Sequence, residues 1–298
     1  DLPDAWNVAG TTGYDFAGMV NAVLVNPEGE EPLMKCYIEF TGQSADYAAV
    51  VHDAKLLVLR EMLGSDVKRL AAMLKRIYDG HWRWRDFSRE EIDAALRELV
   101  ACYPVYRGYV RPGTGGVGDS EVRYMDDAIK RARQWRPDID GGLLDFFRDI
   151  FLLRVAGSLE SDTAMRFQQL TGPAMAKGVE DTAFYCFNRL VSLNEVGGDP
   201  GRFSLSVEAF HRKCIEKRRR WPQGMLTTGT HDTKRSDDVR SRINLLSEIP
   251  AVWRNAVLRW SAMNAPYHTR GAPDRNAEYL FYQTLIGAWP IDADRMAA

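Results

Sequence analysis

The chain is poor in cysteine, shows no excess of either charge and contains no long apolar run, and each shortage narrows what it can be. Cys36, Cys102, Cys186 and Cys214 are far apart and form no C-x-x-C pair, a pattern that points to buried reduced thiols rather than a zinc site or a disulfide framework. No apolar stretch approaches the roughly 18 to 20 residues that span a bilayer, and the first residues lack the basic and apolar regions of a secretion signal. A cytoplasmic chain without a membrane partner is the expectation. A formal charge of -2 carries no basic excess, which argues against nucleic acid as the partner. The one basic cluster, Lys217-Arg218-Arg219-Arg220, follows a helical pattern and reads as a solvated helix end. There is no internal repeat and no low-complexity tract. What is there, 45% hydrophobic and 27% charged residues over 298 positions, suffices for one substantial core or two smaller ones.

Helical periodicity dominates. Phe16, Met19, Val20 and Val23 recur at helical spacing after a loop rich in Gly and Thr. From about Asp46 to Trp135 the chain reads as mostly helical, most clearly where Val67, Leu70, Ala71, Leu74, Ile77 and Tyr78 share one face behind a Ser65 cap. Ser88 followed by Glu91 forms a capping box, and Ile92, Leu96, Leu99 and Val100 supply the stripe of the helix it starts. Further helices are expected over 122–135, 143–155, 163–170 and 207–220, and around Val239, Ile243 and Leu246.

Strand composition marks Pro104–Val110, with a glycine-rich exit over 112–118, and Met225–Thr230. A second short apolar run, Ala174-Met175-Ala176, also breaks into charged groups, at Lys177, Glu180 and Asp181. Strand, polar turn, helix, twice in succession, is an α/β signal. Asn194-Glu195-Val196-Gly197-Gly198-Asp199-Pro200 reads first as a turn.

Chemistry concentrates at Thr230-His231-Asp232-Thr233-Lys234-Arg235, where an imidazole, a carboxylate, an ammonium and a guanidinium follow a β-branched run. If that run is a barrel strand, its C-terminal end faces the mouth where active sites of that architecture lie. Asp232 taken alone is as readily a helix cap or a partner of Arg235 as a functional carboxylate, and it is the clustering that favours a ligand. Lys177 reads either as a catalytic ammonium or as the partner of Glu180. On a strand, Glu180 and Asp181 would point to opposite faces. His81, beside Trp82-Arg83-Trp84-Arg85, carries little signal. Eight tryptophans and twelve tyrosines permit a glycan ligand, since aromatic faces suit the C–H faces of sugars, although most aromatics belong to cores.

Six blocks carry a resemblance: Trp6–Phe16, Phe167–Pro173, Ala176–Tyr185, Asn194–Pro200, Thr230–Ser236 and Tyr282–Pro290. In residues and in order they closely resemble the maltooligosyl trehalose synthase family. The resemblance implies the α-amylase clan, hence the later part of a (β/α)8 barrel with a largely helical insertion: barrel segments over 1–45 and 161–298 and the insertion over 46–160. It implies an isomerase that converts the reducing-end α-1,4 bond of a maltooligosaccharide to an α,α-1,1 bond by a retaining double displacement, with water excluded until the released glucose turns round. Asp232 would be the transition-state stabiliser of the clan's His-Asp motif, with His231 beside it. Lys177, Lys234, Arg235, Glu180, Asp181, Tyr14 and Asp15 fall in the family's substrate-binding motifs. No cofactor is implied; the partners implied are a maltooligosaccharide and, functionally, a maltooligosyl trehalose trehalohydrolase.

In that family the aspartate nucleophile and the glutamate acid/base precede the Gly-Thr-Thr-Gly-Tyr-Asp-Phe motif, so the chain is expected to be an internal or C-terminal fragment of the catalytic region. Alone it is expected to form no product from maltopentaose. Two other classes fit parts of the sequence: a non-catalytic α-glucan-binding module, which needs no nucleophile, and a metal-dependent phosphohydrolase using the His52-Asp53 and His231-Asp232 pairs.

Overall fold

Regular structure in the computed structural model, which describes residues 6–82, 85–113 and 117–292, is almost wholly helical. In chain order the helices are α1 (Tyr14–Val23), α2 (Glu30–Thr41), α3 (Tyr47–Glu61), α4 (Gly64–Asp79), α5 (Arg89–Cys102), α6 (Asp119–Trp135), α7 (Gly141–Phe151) and α8 (Ser158–Met175). They continue as α9 (Phe184–Cys186), α10 (Val207–Arg220), α11 (Asp237–Asn244), α12 (Pro250–Asn264) and α13 (Arg275–Ala288). A π-helical segment, Ala176–Ala183, joins α8 to α9. Two compact units result: Val51–Ala183, and a second built from the residues on either side of that span.

The Val51–Ala183 unit is a helix bundle whose faces follow from sequence spacing. On α4 the buried residues are Val67, Leu70, Ala71, Leu74, Ile77 and Tyr78, the six that recur at helical period. On α5 the Ser88 hydroxyl accepts from the Glu91 amide and the Glu91 carboxylate accepts from the Ser88 amide, closing the capping box. Ile92, Leu96, Leu99 and Val100 then pack with α4, α7 and α8 around Phe147, Phe151 and Phe167. Each such fully buried side chain contributes roughly 1.5 to 3 kcal/mol.

The other unit has its own core of Leu33, Tyr37, Phe187, Trp253, Val257, Tyr279 and Tyr282 from α2, α12, α13 and the chain after α9. Trp253 Nε1 donates to Tyr279 Oη at 2.8 Å, so two large aromatics are buried with their polar tips paired. The chain from Phe184 to Asn194, short helical turns joined by loop, is held by side-chain amides: Asn194 Nδ2 donates to the Phe184 and Phe187 carbonyls at 2.7 Å each, and Gln283 accepts from the Val191 amide and donates to the Asn188 carbonyl. That scaffold delivers Glu195 to the site described below.

Several expectations need correction. The helix-rich character holds, but no strand occurs among the described residues; only an isolated bridge joins Thr269 to Ala272. The stretches 104–110 and 225–230 find no partner strand, and a strand exists only as part of a ladder. Their carbonyls take side-chain donors instead: Thr171 Oγ1 to Tyr106 and Gln168 Nε2 to Val110 in one unit, and Arg240 to Thr228 in the other. The run at 174–182 continues from α8. Pro173 in its last turn has no N–H to give, and the helix widens into the π segment, where Thr182 Oγ1 bonds the Lys177 carbonyl five residues back. Helix α4 starts one residue before Ser65, so Leu63 and not Ser65 is its cap residue. On α1 the fully buried residues are Ala17 and Asn21, while Phe16, Met19, Val20 and Val23 are half-buried. Of the cysteines Cys36 and Cys102 are buried, Cys186 is exposed, and all four are free. Arg83, Trp84 and residues 114–116 of the glycine-rich stretch lie outside the described residues.

Candidate functional site

Two glycines in the left-handed region let three of the motifs meet. Gly13, at φ 91°, precedes α1 so closely against the chain at Met225 that a Cβ would stand 2.6 Å from the Met225 carbonyl oxygen. Gly197, at φ 78°, presses on the start of α1 from the Asn194–Pro200 loop, where a Cβ would stand 2.2 Å from the Tyr14 carbonyl oxygen. The first turn of α1 is thereby wedged between the 195–199 loop and the chain leading to His231.

From that position Tyr14 Oη donates to Asp232 Oδ2 at 2.9 Å and accepts from Thr230 Oγ1 at 3.1 Å, while Thr230 Oγ1 also accepts from the Asp232 amide. His231 Nε2 lies 3.5 Å from the same carboxylate oxygen. Side chains of His231 and Asp232 are 89% and 58% exposed, so both remain available to a ligand. Ser236, not Asp232, caps α11, its hydroxyl accepting from the Val239 amide, which removes the capping role open to Asp232 on sequence alone.

Behind this turn stands Glu195, 2% exposed. Its Oε1 accepts from the Lys234 amide at 2.7 Å and its Oε2 from the Arg235 amide at 2.9 Å. The Arg235 side chain reaches the Val191 carbonyl at 3.3 Å, and burial, opposed by Glu195, pulls its guanidinium below the ordinary value. Lys234 directs its ammonium over the Tyr185 ring, 5.6 Å from the centroid, a cation–π contact.

Beside Tyr14 opens a cleft of about 640 Å³, lined among others by Thr11, Asp15, Glu195, Lys217, Trp221 and Arg240. His231 and Asp232 are not part of its wall. Lys217 donates to Asp15 Oδ2 at 2.8 Å across it. Burial raises the Asp15 pKa, but the Lys217 ammonium, helped by the Phe16 amide and the Thr11 hydroxyl, holds the carboxyl below its ordinary value. Lys217 is therefore an inward-facing member of a basic run expected to be solvated throughout, and only 12% of its side chain is exposed.

Lys177, Glu180 and Asp181 belong to the Val51–Ala183 unit, on its π-helical segment. Lys177 Nζ pairs with Asp181 Oδ2 at 2.7 Å rather than with Glu180, whose carboxylate accepts from Tyr106 Oη. Of ligand-type groups at metal spacing, the described residues contain one set, His52, Glu98 and Cys102, buried in that same unit. Imidazole and thiol both converge on Glu98 Oε1, at 2.7 and 3.4 Å, and the buried Lys55 ammonium interacts with Cys102, so the charge pattern disfavours a cation. His52 Nδ1 lies 3.6 Å from Asp53 Oδ1, but the ring stacks on Trp135 and its Nε2 is engaged by Glu98 at 2.7 Å, while the Asp53 side chain is 81% exposed.

Sequence reasoning missed Glu195 and Arg240. The signal for Glu195 was a carboxylate two positions before Gly197-Gly198, a pair of glycines that marks a close backbone approach as readily as a turn.

Comparison with known proteins places these motifs. No family model matches the chain. It is 34% identical over 294 residues, 98% of its length, to a provisionally named maltooligosyl trehalose synthase of Mycobacterium tuberculosis, of which it spans 34%. Among solved structures it is similar to maltooligosyltrehalose synthase from Arthrobacter ramosus, with a TM-score of 0.83 and 35% identity over 99% of this chain and 35% of that one. It is also similar to a hypothetical maltooligosyl trehalose synthase of Sulfolobus tokodaii, with a TM-score of 0.70 and 26% identity over 97% of this chain and 34% of that one. Agreement in sequence and fold along nearly the whole chain, with three of the motifs brought together in one unit, leads to one assignment: the chain belongs to the maltooligosyl trehalose synthase family and matches a stretch about a third as long as its relatives.

Proposed function

We propose that this chain carries part of the sugar-binding centre of a maltooligosyl trehalose synthase, which turns the reducing-end α-1,4 bond of a maltooligosaccharide into an α,α-1,1 bond. The observation that carries the reading is the contact of Tyr14 with Asp232 at 2.9 Å. It joins two of the motifs on which the family resemblance rests and presents a carboxylate beside an aromatic ring at an accessible surface. In this role Asp232 holds hydroxyls of the reacting sugar and favours the oxocarbenium-like transition state, with His231 beside it. Tyr14, Asp15, Lys234 and Arg235 of one unit, and separately Lys177, Glu180 and Asp181 of the Val51–Ala183 unit, are assigned to binding glucose units. Retaining the released glucose while it turns round, with water kept out, is what favours isomerisation over hydrolysis.

In a protein of the relatives' full length, residues 1–45 and 161–298 would contribute to the (β/α)8 catalytic region and residues 46–160 would form its helical insertion. The enzyme would work in the cytoplasm without a cofactor and hand its product to a maltooligosyl trehalose trehalohydrolase. For the chain itself, no described helix is long and apolar enough to cross a membrane.

Calorimetric titration with maltopentaose tests the reading. Saturable binding that Asp232→Asn weakens is the expected outcome; binding indifferent to that substitution would remove Asp232 from the site.

A further inference from the structure

We infer that Glu195 is a positioning residue: together with Arg240 it clamps the backbone on both sides of the His231-Asp232 turn and so aims the Asp232 carboxylate. The inference rests on the proposed sugar site for its functional consequence, though not for the clamp itself. Four contacts carry it. Glu195 Oε1 accepts from the Lys234 amide at 2.7 Å and Oε2 from the Arg235 amide at 2.9 Å, which ties down the chain just after the turn. Arg240 donates to the Thr228 carbonyl, which ties down the chain just before it. Glu195 Oε2 and Arg240 Nη1, both on nearly inaccessible side chains, lie 3.8 Å apart and close the clamp as a buried ion pair.

The turn needs such a device because it has no ladder. Within residues 229–233 the bonds are local: the Thr233 hydroxyl accepts from the Thr230 amide and donates to its carbonyl, and Thr230 Oγ1 accepts from the Asp232 amide. Such contacts shape a turn but do not attach it to anything. Tyr14 holds the turn from one side, the Lys234 and Arg235 side chains reach Tyr185 and the Val191 carbonyl, and the backbone on both flanks is held by Glu195 and Arg240. A buried carboxylate must be satisfied wherever it sits. This one spends its lone pairs on the amides of Lys234 and Arg235 and on the neighbouring Val196 amide, at 2.9 Å. Its Gly197 neighbour is pressed against the start of α1, so one loop sets both Tyr14 and the turn that Tyr14 touches. A carboxylate aimed in advance stabilises developing charge without a reorganisation cost at the moment of reaction.

The test is a double-mutant cycle of Glu195→Gln and Asp232→Asn, read by maltopentaose affinity and by amide hydrogen exchange. Glutamine keeps the volume but offers one acceptor oxygen in place of two charged ones. Exchange at the Lys234 and Arg235 amides is expected to accelerate about tenfold or more in Glu195→Gln, in keeping with the strength of hydrogen bonds to a charged acceptor. Maltopentaose affinity is expected to fall in each single variant, and the double variant should bind no more weakly than Asp232→Asn alone. Unchanged exchange at those two amides overturns the clamp, and fully additive losses overturn its action through Asp232. If Glu195→Gln does not fold, the wild-type chain still decides: Lys234 and Arg235 amides must be protected well beyond that of His231, and equal exchange at all three refutes the clamp. Should Asp232→Asn leave the affinity unchanged, the sugar-site reading fails, while the exchange rates judge the clamp by themselves.

Discussion

Tyr14 Oη donates to Asp232 Oδ2 at 2.9 Å across 218 positions of sequence. The same oxygen accepts from Thr230 Oγ1 at 3.1 Å, so one phenol orients both the carboxylate and the turn that bears it. Its ring lies at the edge of the cleft that runs to Lys217 and Trp221.

Tyr14→Phe keeps the ring and deletes the hydroxyl. A hydrogen bond of this kind contributes about 0.5 to 1.5 kcal/mol net, so maltopentaose affinity is expected to weaken roughly 2- to 12-fold. Asp232 is largely exposed and water replaces the phenol, so the melting temperature should move little. Calorimetry and a thermal scan check both, and an unchanged affinity would mean that Tyr14 does not orient a sugar-binding carboxylate.

Gly197→Ala acts on the backbone instead. The residue has φ 78°, and its Cβ would stand 2.2 Å from the Tyr14 carbonyl oxygen, so the loop and α1 must separate. A left-handed position alone costs about 1 to 2 kcal/mol for a side-chain residue, and the clash adds to it. Urea denaturation should register more than that loss, accompanied by weaker maltopentaose binding; a variant as stable as the wild type would contradict the wedge.

In the Val51–Ala183 unit the expected effects are on stability alone. Ser88→Ala removes the hydroxyl half of the α5 capping box and should cost about 1 kcal/mol, whereas Leu74→Ala opens a cavity in the core and should cost about 2 to 5 kcal/mol. Chemical denaturation of both variants tests that order.

Lys55 gives a pH dependence with a defined sign. Its ammonium donates to the Tyr103 carbonyl at 2.9 Å, and burial draws its pKa from the ordinary 10.5 to about 8, with Cys102 opposing the fall. Between those values the unfolded chain binds more protons than the folded one, so this group's contribution to stability rises with pH. Below about 8 both states carry the proton and the burial cost is felt in full. The stability of Lys55→Met relative to wild type should accordingly be greatest below pH 8 and decline towards pH 10, the thiols and phenols titrating in both proteins. Parallel pH profiles would show that Lys55 is not the origin.

Much of the helical architecture was legible from spacing. The six inward residues of α4, the Ser88–Glu91 box and the 207–220 span of α10 all follow from periodicity and capping, which are local properties. The segment 225–230 was misread because β-branched composition describes a residue's preference and not the presence of a partner strand. In this chain Met225 and Leu226 are more than 60% exposed, and the segment is held by side chains instead. Lys217 was misread for a related reason: its neighbours are basic and exposed, and nothing in their order reveals that Asp15 stands opposite it.

Local order along the chain determined the helices, their buried faces and the motifs that identify the family, because each depends on residues a few positions apart. Tertiary structure alone decided that Tyr14 would meet Asp232 and that Glu195 would take the Lys234 and Arg235 amides. Those contacts depend on two backbones closing to within a side chain's width at Gly13 and Gly197, and such an approach is set by the packing of distant helices rather than by any periodicity in the sequence.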